Sequence, residues 1–242
     1  MRLDLHIHSC LSPCGDLEMS PRAIVERARA AGLDGVALTD HNSARNTPAL
    51  AACCRTAGLA CLFGLEVCTA EEVHTLTLFD TLEQAEAMTR WIYDSLPKRV
   101  NQPEIFGDQP VVTADETVVE LEWRLLSTAS RHPLRAIGAE THRLGGLFIA
   151  CHVDRAVFSV FSQLGVLSGD EGFDAMEISR GADEETWRAR TATHPLIRSS
   201  DAHYLADVGT GWSEADLGIL STDVLRDAIA RRAVRPGPAW IR

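Results

Sequence analysis

The sequence predicts an α/β fold in which parallel βαβ units close into a barrel or a doubly wound sheet. Three observations carry that prediction. Seven short apolar runs are separated by helical or loop segments, the alternation that builds parallel sheets. Residues of metal-ligand type gather at the ends of those runs, where barrel folds place their chemistry. The 242 residues, 45% hydrophobic and 24% charged, suffice for a large core, and no repeat, low-complexity stretch or linker marks a second domain. Residues 1–242 are therefore expected to form one domain.

The first strand is expected at Asp4-Leu5-His6-Ile7-His8-Ser9. Leu3, Leu5 and Ile7 alternate with Asp4, His6 and His8, a period of two that puts one set on each face. His6 and His8 then stand about 6.5–7 Å apart along the strand, near enough to share a metal ion. A helix follows, with Ser20 as cap, Pro21 in its first turn and Gly32 past its end. Gly35 to Leu38 forms the second strand and runs into Thr39-Asp40-His41. A second helix opens at Asn46 or Thr47, with Pro48, and stops at Gly58. Leu59 to Glu66 is the third strand and His74 to Phe79 the fourth. Thr81-Leu82-Glu83-Gln84 is a capping box whose helix runs to about Leu96. From Pro97 to about Asp115 the periodicity is lost, and Pro103, Gly107 and Pro110 punctuate a polar loop of a length that is usually functional. A helical region broken near Pro133 is expected from Thr117 to Leu144. Strands five to seven are Leu147–Val153, Phe173–Ser179 and Leu196–Ser200. Thr222–Ala233 is a last helix, and Arg235-Pro236-Gly237-Pro238 a tail. The stretch from about residue 81 to 145 reads as an elaborated insertion after strand four.

Composition narrows the function. No apolar run approaches the ~20 residues that span a bilayer, and the chain opens on strand-like sequence rather than a leader. A cytoplasmic protein with no membrane partner is expected. Seven cysteines, an odd number without framework spacing, read as reduced thiols. A net charge of −11 disfavours long nucleic acid, whose binding is mainly electrostatic. The single lysine is Lys98.

His6 and His8 end the first strand, His41 the second, Glu66 the third and His152 the fifth. Asp201 and His203 follow the seventh, and His74 opens the fourth, a less orderly place. Six of these eight are histidines, from nine in the chain. A lone histidine is ordinarily a core or surface group; eight converging ligand types point to a metal cluster. Imidazoles with a few carboxylates, and no cysteine at the key positions, suit Zn²⁺, Mn²⁺ or Fe²⁺ over a thiolate-type structural zinc site. Glu66 has two oxygens and can bridge two ions. Arg155 and Arg180 lie just past strand ends, where a guanidinium grips a phosphate or simply forms a surface ion pair. His132, His142 and His194 lie away from strand ends and read as non-ligands, and Asp108 reads as a turn former beside Gly107.

Asp4-Leu5-His6-Ile7-His8-Ser9, Thr39-Asp40-His41-Asn42, Glu66, His74, Ala150–Arg155 and Ser200-Asp201-Ala202-His203 together resemble the PHP (polymerase and histidinol phosphatase) family over essentially the whole chain. Leu11-Ser12-Pro13-Cys14 and Phe106-Gly107-Asp108-Gln109 extend the resemblance to a stand-alone subgroup. It implies a distorted seven-stranded, TIM-like (β/α)7 barrel, three divalent metal ions and phosphoester hydrolysis. It also implies that His6, His8, Glu66 and Asp201 hold one ion and that His41 and His203 hold a second. Glu66 would bridge to a third, held by His74 and His152. Many relatives carry an aspartate or histidine for the second ion just after the HxH. Here that stretch leaves Asp16, Glu18 or Cys14, with Asp16 ahead of Glu18 and Cys14 last. The expected activity is hydrolysis of a small phosphomonoester by a metal-held hydroxide, with Asp201 or His203 moving the proton. Two other readings stand beside it. A binuclear amidohydrolase would often bridge its ions through a carbamylated lysine, which Lys98 in the insertion suits poorly. A non-catalytic PHP-like scaffold would be expected to have lost ligands.

Overall fold

The computed structural model describes residues 1–191 and 194–240. β1 (Arg2–Ile7) leads to α1 (Pro21–Ala30), β2 (Gly35–Leu38), α2 (Thr47–Ala57), β3 (Ala60–Cys68) and β4 (His74–Phe79). Next come α3 (Leu82–Ser95), α4 (Pro103–Phe106), β5 (Pro110–Val112), β6 (Val118–Leu121) and α5 (Leu134–Arg143). The chain then alternates β7 (Leu147–Ala150), α6 (Val160–Leu164), β8 (Ala175–Ile178), α7 (Glu184–Arg190) and β9 (Leu196–Arg198). It ends in β10 (Ser213–Glu214), α8 (Thr222–Ala230) and β11 (Arg235–Pro236). The helix ends follow their sequence signals. Ser20 accepts the Ala23 amide, Thr81 and Gln84 cap each other reciprocally, and Gly58 ends α2 in the left-handed region at φ 68°.

The sheet has nine strands, in the order β11-β10-β1-β2-β3-β4-β7-β8-β9, and not the seven expected. The additions are β10 and β11, two residues each, where the sequence reading had loop and tail; such short edge pieces carry no periodicity to read. The barrel-shaped sheet is nearly closed. Ile7 bridges in parallel to Ala202, and the His8 amide donates to the Ala202 carbonyl at 3.0 Å. Asp4, from the first strand, accepts the amides of Ser200 at 2.9 Å and Gly209 at 3.0 Å.

Two further expectations are corrected. The strands are not all parallel, because β4 runs antiparallel to both β3 and β7. Only the five residues from Thr69 to Val73 separate β3 from β4, which allows a hairpin and not a helical crossover. The stretch from Thr117 is not helical until Leu134: β6 pairs with β5 in a separate two-stranded hairpin. Val118 and Val119 are β-branched, and their preference for strand prevails. Two asparagines tie this segment to the barrel rim. Asn46 donates to the Pro110 carbonyl at 3.2 Å and accepts the Val112 amide at 2.9 Å. Asn42 donates to the carbonyls of Leu126 and Thr128.

β1 is buried almost throughout: Leu3 and Leu5 pack in one apolar cluster and Ile7 in another, the register against β2 shifts between Asp4 and Ile7, and Asp4, His6 and the following His8 are fully buried. Among the described residues, no helix is long and apolar enough to cross a membrane.

Candidate metal centre

At one end of the barrel the strand termini bring seven of the eight expected ligands into a buried cluster around Glu66, with His203 at its edge. Glu66 Oε1 lies 2.9 Å from His74 Nδ1, 3.1 Å from His152 Nε2 and 3.5 Å from His6 Nε2. Its Oε2 lies 3.1 Å from His41 Nδ1 and 3.3 Å from His8 Nε2. The two oxygens thus face different sets of imidazoles, the arrangement a bridging carboxylate needs. Asp201 Oδ1 sits 3.3 Å from His6 Nε2 and 3.2 Å from His8 Nε2. His203 stacks on His8 with ring centroids 4.3 Å apart.

The reversed β4 explains the irregular place of His74. In the antiparallel pairing, His74 stands opposite Cys68 at the end of β3, and its neighbour Thr75 opposite Ala150 at the end of β7. The beginning of β4 therefore shares a rim with the ends of the parallel strands. His152 and Asp201 adopt positive φ, 26° and 50°. For non-glycine residues this is a strained conformation of the kind that clusters at functional sites.

The residues fit divalent ions. The imidazole nitrogens of His6 and His8 face each other at 3.2 Å. His41 Nδ1 and His152 Nδ1 are buried without a hydrogen-bond partner, a costly state that coordination relieves. Ligand atoms of His6, His8 and Asp201 lie within 4.8 Å of one another, as do those of His41, Glu66 and His74. Burial pushes the Asp201 and Glu66 carboxyls up, but the surrounding histidines outweigh it and hold both well below the usual carboxylate range. Burial pushes His41 well below the usual imidazole range and His203 down to about 4, so both offer neutral nitrogens. Burial opposes a charge on His6, yet Glu177, Asp201 and Glu66 raise it well above that range.

A shell of buried partners orients the ligands, and the sequence reading gave it no role. Glu177, on β8, lies 3.0 Å from His6 Nδ1 and accepts the His152 amide at 3.2 Å. His8 Nδ1 contacts Ser12 Oγ at 2.9 Å, and Ser12 donates to Asp40 at 2.7 Å. Such carboxylates and hydroxyls fix imidazole tautomers at metal sites. The signal for Glu177 is in the sequence: a lone carboxylate inside the apolar run Ala175-Met176-Glu177-Ile178 needs a buried partner.

Asp16 and Glu18 are not brought to the cluster. Asp16 Oδ1 accepts the Glu18 amide at 2.8 Å, and the Glu18 side chain is exposed. Cys14 stands among His8, His41 and His203 in their place. Arg155 reaches the site and pairs with Asp201 at 2.5 Å. Arg180 does not; it pairs with Asp207 at 2.5 Å and bonds Thr210. His132 stacks on Trp91, and His142 pairs with Asp174, both outside the cluster. Lys98 follows α3 in the chain and lies in no strand.

Beside the cluster opens a cavity of about 440 Å³, lined by Cys14, His41, His74, Ile105, Phe106 and Phe158 among others. Phe158, at φ 56°, lays its ring on His74 with centroids 4.6 Å apart.

No curated protein sequence gives a significant match. Among solved structures, the lesion-specific endonuclease PfuEndoQ from Pyrococcus furiosus is similar, with TM-score 0.71 and 19% identity over 98% of this chain. Endonuclease Q in complex with a 27-mer duplex bearing an abasic lesion at the active site gives TM-score 0.70 at 20% identity over 95% of this chain. This chain spans little more than half of those proteins, 58% and 56% respectively. A protein described as a metal-dependent phosphoesterase, from Bifidobacterium adolescentis, gives TM-score 0.59 at 21% identity over 96% of both chains. An amidohydrolase from Chromobacterium violaceum with bound sulfate gives 0.60 at 19% identity, over 98% of this chain and 99% of its own. At such identities these likenesses establish the barrel-shaped α/β fold. The PHP domain model matches residues 4–143 and the PHP-associated model residues 188–234, so that together they take in every clustered ligand except His152. The first match alone covers more than half of the sequence, and the chain belongs to the PHP-domain family, a membership that supports a metal-dependent hydrolase.

Proposed function

We propose that the protein hydrolyses a phosphoester, and most simply a small phosphomonoester, at a centre of three divalent ions. The observation that carries this reading is the buried cluster around Glu66, with unsatisfied ligand atoms, opening on a cavity of about 440 Å³. When bound, divalent ions supply an activated water and neutralise the phosphoryl oxygens. His6, His8 and Asp201 would form one ligand set, His41, Glu66 and His74 with His152 another, and His8, His41 and His203, grouped with Cys14, a third.

The remaining chemistry belongs to named side chains. Arg155 gives one guanidinium nitrogen to Asp201 and is 42% exposed at its side chain, so its other donors are free to meet a phosphoryl oxygen beside the cluster. Asp201, held ionised, accepts a proton and does not donate one. His203 Nδ1 lies 2.9 Å from the Asp201 carbonyl, which assigns its proton to Nδ1 and leaves Nε2 as ligand or proton acceptor. Arg180 has no place in this scheme.

A nucleic-acid substrate is the second reading, favoured by the endonuclease likeness against the expectation of a small substrate. The net charge of −11 opposes a long polyanion. For an amidohydrolase bridged by a carbamylated lysine, Lys98 is out of place. The test is phosphate release from aryl, sugar and nucleoside monophosphates by protein loaded with Mn²⁺, Zn²⁺ or Fe²⁺. Chelation should abolish turnover, and His6→Ala should lower it by more than the 10–100-fold typical of losing an outer partner. Turnover that survives chelation would refute the mechanism. Cleavage of an abasic duplex without monoesterase activity would transfer the assignment to nucleic acid, and amide or lactone hydrolysis alone would transfer it to the amidohydrolase class.

A further inference from the structure

We infer that Cys14 is a thiolate ligand of the metal centre, completing a three-histidine, one-cysteine site with His8, His41 and His203. Ligand atoms of these four residues all lie within 4.8 Å of one another. The turn that carries Cys14 is built into the barrel mouth. The Ser12 amide donates to the Ser9 carbonyl at 3.1 Å, the Gly15 amide to Ser12 at 2.9 Å and the Asp16 amide to His203 at 2.9 Å. A Cβ at Gly15 would fall 2.4 Å from the Ser9 carbonyl oxygen, so only glycine lets the turn close this tightly. The turn thereby links the Cys14 position to His203, its partner in the site. It also commits Asp16, the expected ligand, to the Glu18 amide.

A sulfur donor changes which ion the site prefers. Thiolate is a soft ligand that favours zinc and its cobalt analogue over the harder manganese and magnesium, and a zinc–sulfur bond is about 2.3 Å. The expectation of a centre without cysteine at its key positions is thereby revised for one ion. A second sulfur, Cys151, lies within the same distance of His6 and Glu66 and is the competing donor to exclude.

Cobalt(II) titration of the chelator-stripped protein tests the assignment by spectrum and not by turnover. The result expected is a sulfur-to-cobalt charge-transfer band in the near ultraviolet. It should persist in Cys151→Ser, Asp16→Ala and Glu18→Ala, and vanish in Cys14→Ser and Cys14→Asp. The weaker d–d bands of the remaining ions should survive in Cys14→Ser, showing that the fold and the other ligands are intact. Zinc loading should also shield Cys14 from iodoacetamide, read by mass spectrometry, and chelation should restore labelling. No charge-transfer band in the loaded wild type, or a band lost in Cys151→Ser and kept in Cys14→Ser, overturns the inference. Because no substrate is involved, the result stands whether or not the protein proves to be a phosphoesterase.

Discussion

Each buried ligand stands at a strand end, yet what makes it a ligand is the residue behind it. Glu66 is the hub: its two oxygens face five imidazoles, from His6, His8, His41, His74 and His152. Glu66→Gln removes the charge and one good donor atom, so it should empty at least one ion site and lower turnover at least ~100-fold, beyond the loss of an outer partner. Metal analysis of the purified variant beside a thermal melt checks this; normal metal content would show that Glu66 is not the bridge. Glu177→Gln acts one step further out. It should weaken metal affinity ~10–100-fold, by loosening His6, with the fold retained; competition with a chromophoric chelator measures it. The first set of residues was legible because histidines recur at the ends of apolar runs. The partners of Glu177, Asp40 and Ser12 were not, because a single polar residue in or beside a strand signals that it needs one but states none until the barrel closes.

Elements decide which rim a residue reaches. The hairpin from β3 to β4 reverses one strand and delivers His74 to the same end as the others, a result that strand order alone, read as parallel, leaves unexplained. The apolar alternation of His74–Phe79 marked the strand but carried no direction, and direction is set by the short connection. In the segment between α3 and α5, β-branched residues favoured a hairpin that a helical pattern had obscured. Arg45 pairs with Glu120 and Glu122 across its attachment, and Asn46 makes two further bonds there while also donating to Ser9 at 2.9 Å. Asn46→Ala leaves the buried Val112 amide without its partner and should cost about 1–3 kcal/mol. Urea unfolding gives the stability change, and faster proteolysis between residues 100 and 125 would locate it; a variant as stable as the parent would show that the rim needs no such tie.

Across the whole molecule, the acid side of the stability profile should report the buried imidazoles. His203 is depressed from 6.5 to about 4, chiefly by burial and then by His8. Between those values the unfolded chain binds a proton that the folded chain refuses, so this residue makes the metal-free protein less stable as pH falls from 6.5 towards 4. His6 and His8, raised instead, contribute stability that is present below 6.5 and lost as pH rises through their folded values. Replacing His203 with Gln should therefore flatten the loss of melting temperature from pH 6.5 to 4.5 in chelator-treated protein, and an unchanged slope would contradict its burial as a neutral group. The near-closure of the sheet, with Ile7 bridged to Ala202 and Asp4 holding Ser200 and Gly209, has a consequence for synthesis. The first ligands leave the ribosome with residue 8 and the last only with residue 203, so at ~5–20 residues per second the early histidines wait many seconds for their partners. A nascent chain holds only fragments of the cluster, and the complete ligand set can assemble only after residue 203 has emerged.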